Sequence, residues 1–134
     1  MMNATAGGAM PHLFDTDDQY LLDLQKSAQK EGLAFVEELA FESGAVYKGY
    51  LKDEMRHGPG VQVWPDNAKY EGEWRHNKAN GTGKFWHADG DVYEGQWEDD
   101  KANGYGIYVH VNGAKYEGYW KNDLQDGTGV ESWS

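Results

Sequence analysis

The chain has 134 residues, enough for one domain, and carries 23 Asp and Glu against 12 Lys and Arg, a formal net charge of −11. That excess repels polyanions and argues against general nucleic-acid or anionic-membrane binding. The absence of cysteine excludes disulfides, thiolate metal sites, cysteine nucleophiles and S-palmitoylation, and it is compatible with a cytoplasmic setting. No apolar run reaches the ~20 residues that a membrane span needs.

Hydrophobic residues make up 39% of the chain and aromatics 14%, a pairing that predicts a thin structure held by rings. Met1-Met2-Asn3-Ala4 has neither the basic residues nor the apolar stretch of a secretory signal, and position 2 is not the Gly of a myristoylation site. Residues 1–15 read as a flexible tail. An amphipathic helix is predicted at about 16–31, within a segment 16–32. Thr16 and Gln19 fit a capping box, Asp17 and Asp18 suit the helix dipole, and Gly32 is the stop. Tyr20, Leu21, Leu24 and Ala28 share its apolar face, which either caps the sheet or docks a partner or second copy.

From residue 33 the pattern is strand-like: Leu33, Phe35, Leu39 and Phe41 alternate with smaller or charged residues up to Ser43-Gly44. A repeat then takes over. Tyr47, Tyr70, Tyr93 and Tyr116 are spaced by 23, as are Gly49, Gly72, Gly95 and Gly118, and Leu51, Trp74, Trp97 and Trp120. Gly58, Gly81, Gly104 and Gly127 form another column, and Gly60, Gly83, Gly106 and Gly129 a fifth. In Tyr70-Glu71-Gly72-Glu73-Trp74, Tyr, Gly and Trp occupy alternate positions of a strand and share a face. A second strand is predicted from about Gly83 to His87. Turns are predicted before it, at Asn80-Gly81, Asn103-Gly104 and Asp126-Gly127, and after it, at Asp89-Gly90 and Asn112-Gly113. Asp53-Glu54, Asp99-Asp100 and Asp123 are placed at hairpin tips. The glycines either relieve turn strain or open slots in which neighbouring rings lie.

Tyr70-Glu71-Gly72-Glu73-Trp74 and Tyr93-Glu94-Gly95-Gln96-Trp97, each followed by Asn-Gly-x-Gly and then Asp-Gly or Asn-Gly, resemble MORN repeats (membrane occupation and recognition nexus). The resemblance covers residues 47–134, as repeats 47–69, 70–92 and 93–115 and an incomplete one at 116–134. A half-repeat at 33–46 precedes them, with Phe41-Glu42-Ser43-Gly44 aligned on Trp64-Pro65-Asp66-Asn67. The first repeat departs from the pattern at Lys48, Leu51 and Asn67. The resemblance implies a mainly β chain: a single-layered, twisted antiparallel sheet of β-hairpin repeats with one N-terminal α-helix. At ~4.8 Å per strand, four repeats make a rod of about 40 Å. Ser132-Trp133-Ser134 stops where a new turn is due, so a longer parent array or an exposed edge that pairs with a second copy is expected.

The residues show no catalytic constellation, cofactor cradle or calcium loop. His87 and His110 share a column with Trp64 and Trp133, and their ~10 Å separation favours a stacked ladder over a metal site. A non-enzymatic interaction scaffold is therefore expected. Its partner groove is assigned to Tyr47, Tyr70, Tyr93, Tyr116, Leu51, Trp74, Trp97 and Trp120, and its ligand to an extended peptide or amphipathic helix with basic character, or to a second copy; the alternative, compatible with it, is that these rings stack along the rod as its core. Tyr20, Leu21 and Leu24 are the helix docking candidates. The family name implies an alternative, binding to phosphoinositide or anionic membrane through Lys48, Lys52, Arg56 and Lys69. Residues 47–134 hold 10 basic against 15 acidic residues, which disfavours it. The resemblance also implies a cytoskeletal or membrane-apposed location.

Overall fold

The computed structural model describes residues 13–14 and 19–133. The predicted tail, and the Thr16 end of the predicted capping box, lie outside these residues. Helix α1 (Gln19–Glu31) is followed by nine strands: β1 (Ala34–Ala40), β2 (Val46–Lys52), β3 (Met55–Val63), β4 (Lys69–Arg75), β5 (Lys78–Trp86), β6 (Val92–Glu98), β7 (Lys101–Val109), β8 (Lys115–Lys121) and β9 (Leu124–Ser132). Each strand pairs antiparallel with its neighbours in sequence, so the order across the one sheet is β1 to β9. The chain is thus mainly β, an open sheet of hairpins with a helix at its N-terminal side.

Within each repeat the two strands meet at a two-residue turn: Asp53-Glu54, His76-Asn77, Asp99-Asp100 and Asn122-Asp123. All eight residues have φ between 49° and 73°. Paired positive φ is the type I′ pattern, whose twist matches that of the strands. Between repeats, His87 N donates to Asp91 O (2.8 Å) and Asp91 N to Asp89 Oδ1 (3.0 Å), closing the predicted Asp89-Gly90 turn. Phe41 N donates to Ala45 O (2.9 Å) as Trp64 N does to Ala68 O (2.9 Å), so the half-repeat closes in the same way.

One expectation is corrected. The Asn-Gly pairs are not turns before a strand that begins at Gly83. The second strand of that hairpin begins at Lys78, and Asn80-Gly81 lie inside it. Gly72 pairs with Gly83 and Trp74 with Ala79, so β5 uses four steps where β4 uses two. The surplus is a bulge. Gly81, at φ +77°, takes the left-handed conformation there, and Glu73 Oε2 accepts from Thr82 N (2.5 Å). Asn-Gly signals positive φ, and positive φ serves a bulge as well as a turn.

Helix α1 ends in a Schellman motif. Leu33 N donates to Ala28 O (3.1 Å) and Gly32 N to Gln29 O (3.1 Å), with Gly32 at φ +83°. The helix lies on the first repeats, where Leu13, Phe14, Ala28 and Tyr50 form a buried cluster with Leu21, Leu33, Phe35 and Val61 around it. Its most buried residues are Gln25 and Ala28, Leu21 and Leu24 are half-buried, and Tyr20 stays largely exposed while its hydroxyl donates to Glu73 Oε2 (2.9 Å). The predicted docking trio is therefore turned partly to the sheet. No described helix is long and apolar enough to cross a membrane.

Candidate functional site

Residues paired across the strands share a face. Tyr70 is paired with Gln62 and Phe85, and Tyr93 with Phe85 and Tyr108, so the tyrosine and tryptophan columns of period 23 share one face. Its floor is a zipper of rings. Trp74 stands edge-on between Tyr47 (5.5 Å) and Tyr70 (5.1 Å), Trp97 between Tyr70 (5.3 Å) and Tyr93 (5.2 Å), and Trp120 between Tyr93 (5.4 Å) and Tyr116 (5.3 Å). These T-shaped contacts match positive ring edges to negative faces.

Every polar tip in the zipper is used. Each tyrosine hydroxyl donates to the carbonyl three residues on: Tyr47 to Tyr50 O (2.8 Å), Tyr70 to Glu73 O (2.8 Å), Tyr93 to Gln96 O (3.0 Å) and Tyr116 to Tyr119 O (3.2 Å). Trp74, Trp97 and Trp120 donate through Nε1 to Gly60, Gly83 and Gly106 carbonyls at 3.2, 3.0 and 3.3 Å. The glycine columns make this possible. A Cβ at Gly83 would meet Tyr70 Cε1 at 2.5 Å, and one at Gly72 would meet Gly83 Cα at 2.5 Å. Within the Gly-x-Gly pair the second glycine leaves room for the ring, as expected, whereas the first takes its positive φ at the bulge and not in a turn.

The tyrosines are accordingly buried: Tyr47, Tyr70, Tyr93 and Tyr116 are 0%, 1%, 2% and 6% exposed. Burial raises the Tyr47 and Tyr70 hydroxyls far above the usual phenol range and pushes Tyr93 up to about 12. Of the predicted groove residues, Trp74 and Trp120 are also buried, whereas Leu51 and Trp97 are half-buried. The tyrosines thus form the floor of this face, and beside the half-exposed Trp97 its accessible rings come from a second row, in which Trp64, His87 and His110 are the expected ladder and Phe85 and Tyr108 are additions to it. Trp64 stacks on Phe85 (5.6 Å), Phe85 on His87 (4.6 Å), His87 on Tyr108 (5.7 Å) and Tyr108 on His110 (4.8 Å). His87 and His110 are thus members of a ring ladder with Tyr108 between them. Phe85 and Tyr108 were missed because their column reads Gln62, Phe85, Tyr108 and Glu131, which is not uniform.

Between the two rows lies a hollow of about 270 Å³ lined by Phe85, His87, Trp97, Tyr108, Ala102 and Trp120, with Tyr93 at its floor and the Asp100 and Asp123 carboxylates at its margin. Asp91 anchors the outer row. Its Oδ2 accepts from Tyr108 (2.7 Å) and lies 3.4 Å from His110 Nδ1, and the Tyr108 hydroxyl is what holds this carboxyl below the usual range.

The four basic residues proposed for lipid do not converge. Lys48 is paired with Glu37 (3.3 Å), Lys52 with Glu31 (3.4 Å) and Lys69 with Glu71 (2.8 Å). Arg56 lies on the ring face, its guanidinium 4.6 Å over Trp74 and 5.1 Å over Phe41. Among the described residues, no group of three or more His, Cys, Asp and Glu is placed to hold a metal ion.

An uninterrupted hairpin ladder with a ring floor of fixed period defines a β-hairpin repeat array. The chain belongs to the MORN family: the MORN-repeat model matches residues 47–69, 70–92, 93–115 and 116–134. A search of curated protein sequences finds no match. MORN repeats are generally modules for interaction with proteins or membranes, and the family is generally non-enzymatic.

Proposed function

We propose that this array is a non-enzymatic scaffold that binds an extended peptide or amphipathic helix of basic character along its ring face, in the cytoplasm, on a cytoskeletal or membrane-apposed structure. The observation that carries this reading is the hollow between Trp97 and Tyr108, where half-exposed rings stand beside two exposed carboxylates. Partly buried aromatic rings anchor interfaces, and the acids select partners of opposite sign. The lipid alternative has less support, because three of its four basic residues already face acids of this chain and the fourth is stacked on Trp74.

The test is a selection of displayed helical and extended peptides on the array. A counter-screen uses a Trp97→Ala, Tyr108→Ala variant whose circular dichroism matches the parent. Enriched peptides that lose at least tenfold affinity on the variant support the ring face. Equal affinity for the variant, or no enrichment at all, refutes it. Sedimentation with phosphatidylcholine vesicles containing a phosphoinositide decides the alternative: binding abolished by Lys48→Glu, Lys52→Glu and Lys69→Glu would replace the scaffold by a lipid module.

A further inference from the structure

Arg56 shows what this face does with a guanidinium. Its backbone N and its Nε both donate to Asn77 Oδ1 (2.9 and 3.1 Å), Nη2 donates to Asn77 O (2.9 Å), and Nη1 donates to Gln62 Oε1 (2.5 Å). The group is stacked over Trp74 and Phe41. An arginine of the chain itself therefore fills the hollow of the first repeat.

Two repeats on, the same frame stands without the arginine. Adding 46 to each number replaces Arg56 by Ala102, Trp74 by Trp120, Phe41 by His87, Gln62 by Tyr108 and Asn77 by Asp123. All five of these replacements line the hollow. The backbone frame is kept, since Ala102 N donates to Asp123 Oδ1 (2.7 Å) as Arg56 N does to Asn77 Oδ1. Four of the five positions differ and the tryptophan alone is kept: His87 and Tyr108 put rings where Phe41 and the Gln62 amide stood, and the other two changes alter space and charge. The arginine side chain has become a methyl group, which vacates its space, and the neutral amide of the turn has become a carboxylate. One repeat earlier the change is the same, with Ala79 N donating to Asp100 Oδ1 (2.7 Å). Among the described residues, no cation lies within ion-pair distance of Asp100 or Asp123; Arg56 acts on Asp100 at longer range.

We infer that this hollow receives the guanidinium of an arginine from a partner peptide, seated as Arg56 is seated in the first repeat. This rests on the scaffold reading and names the chemistry of its anchor. A planar cation stacks on an indole and forks onto a carboxylate, whereas an ammonium ion does neither as well. The hollow is smaller than the ~300–1,000 Å³ of small-molecule sites, which suits one side chain.

The probes are N-acetyl-Gly-Arg-Gly amide and its lysine and citrulline counterparts, the last neutral but nearly isosteric. Binding is read from the indole N–H resonances of Trp97 and Trp120. The arginine peptide should shift both, the lysine peptide should bind several-fold more weakly, and citrulline at least tenfold more weakly. The double change Asp100→Asn, Asp123→Asn should also weaken binding about tenfold without unfolding the sheet, because Asn77 already caps the first repeat in this way. Ala102→Arg should abolish binding by filling the hollow from within, while Asp66→Asn, at a turn outside it, should change nothing. Citrulline binding as well as arginine, or unchanged binding to Ala102→Arg, overturns the inference. If peptides from the selection still need Trp97 and Tyr108 while the arginine probe fails, the anchor is wrong and the scaffold stands. If both fail, neither survives.

Discussion

Gly83→Ala isolates the one requirement on which the ring zipper depends. Gly83 has no positive φ, so an added methyl group tests space alone. Its Cβ would lie 2.5 Å from Tyr70 Cε1, about 1 Å or more inside the ordinary carbon–carbon contact. Tyr70 has no room to retreat, with Trp74 at 5.1 Å and Trp97 at 5.3 Å, and its hydroxyl is tied to Glu73 O at 2.8 Å. Overpacking of this kind costs about 1–3 kcal/mol, and loss of the hydroxyl bond adds about 1. A total near 3 kcal/mol is expected. Gly127→Ala is the control: its φ is +72° and nothing lies within 4 Å of the new Cβ, so only the backbone term of about 1–2 kcal/mol applies. Urea unfolding followed by both circular dichroism and tryptophan fluorescence reads the difference, two probes being needed because repeat arrays can open in parts. Tyr70→Leu in the Gly83→Ala background should recover at least about 1 kcal/mol relative to the sum of the single changes. If Gly83→Ala costs no more than Gly127→Ala, or if the double variant is strictly additive, the ring-over-glycine account is wrong.

Alkaline titration should be cooperative. With its folded pKa raised to about 12 against an ordinary 10, Tyr93 contributes stability that is complete below pH 10 and is lost as pH climbs to 12, on the order of a few kcal/mol. Tyrosinate absorbance of the buried tyrosines should appear together with loss of the β signal, and independent titration near pH 10 in a folded sheet contradicts this. Glu73→Ala should cost about 1–2 kcal/mol by removing the acceptor of Thr82 N, while Glu73→Gln should cost less, since Gln96 Oε1 serves Tyr105 N (2.7 Å) in the next repeat. Thermal melts of the two variants distinguish these outcomes. His57 is held below 6.5 by burial and then by His76, so its contribution is present above pH 6.5 and is lost as pH falls through the lowered value. An NMR titration midpoint of 6.5 or higher for His57 would exclude this.

The period of 23, the strand faces, the tips at Asp53-Glu54 and Asp99-Asp100 and the helix stop at Gly32 were all legible, because each rests on local chemistry. Alternation, positive φ and capping depend on neighbours in the chain. Local chemistry could not tell a turn from a bulge at Asn80-Gly81, since both ask for the same φ; the pairing of Trp74 with Ala79 decided it. Nor could it say which columns stay open. The uniform ring columns were read as a groove and, equally, as a stacked core; the tyrosines are buried in that stack, and the half-exposed rings on this face include Trp97 from the uniform columns and Phe85 and Tyr108 from a variable one. The sequence by itself determined a hairpin array of aromatic rings over glycines. Only the tertiary structure, by setting Arg56 on Trp74 and leaving Ala102 beside Asp123, decided where that array is filled from within and where it is vacant. The reason is physical: occupancy depends on side chains that meet across strands and repeats, far apart in the chain.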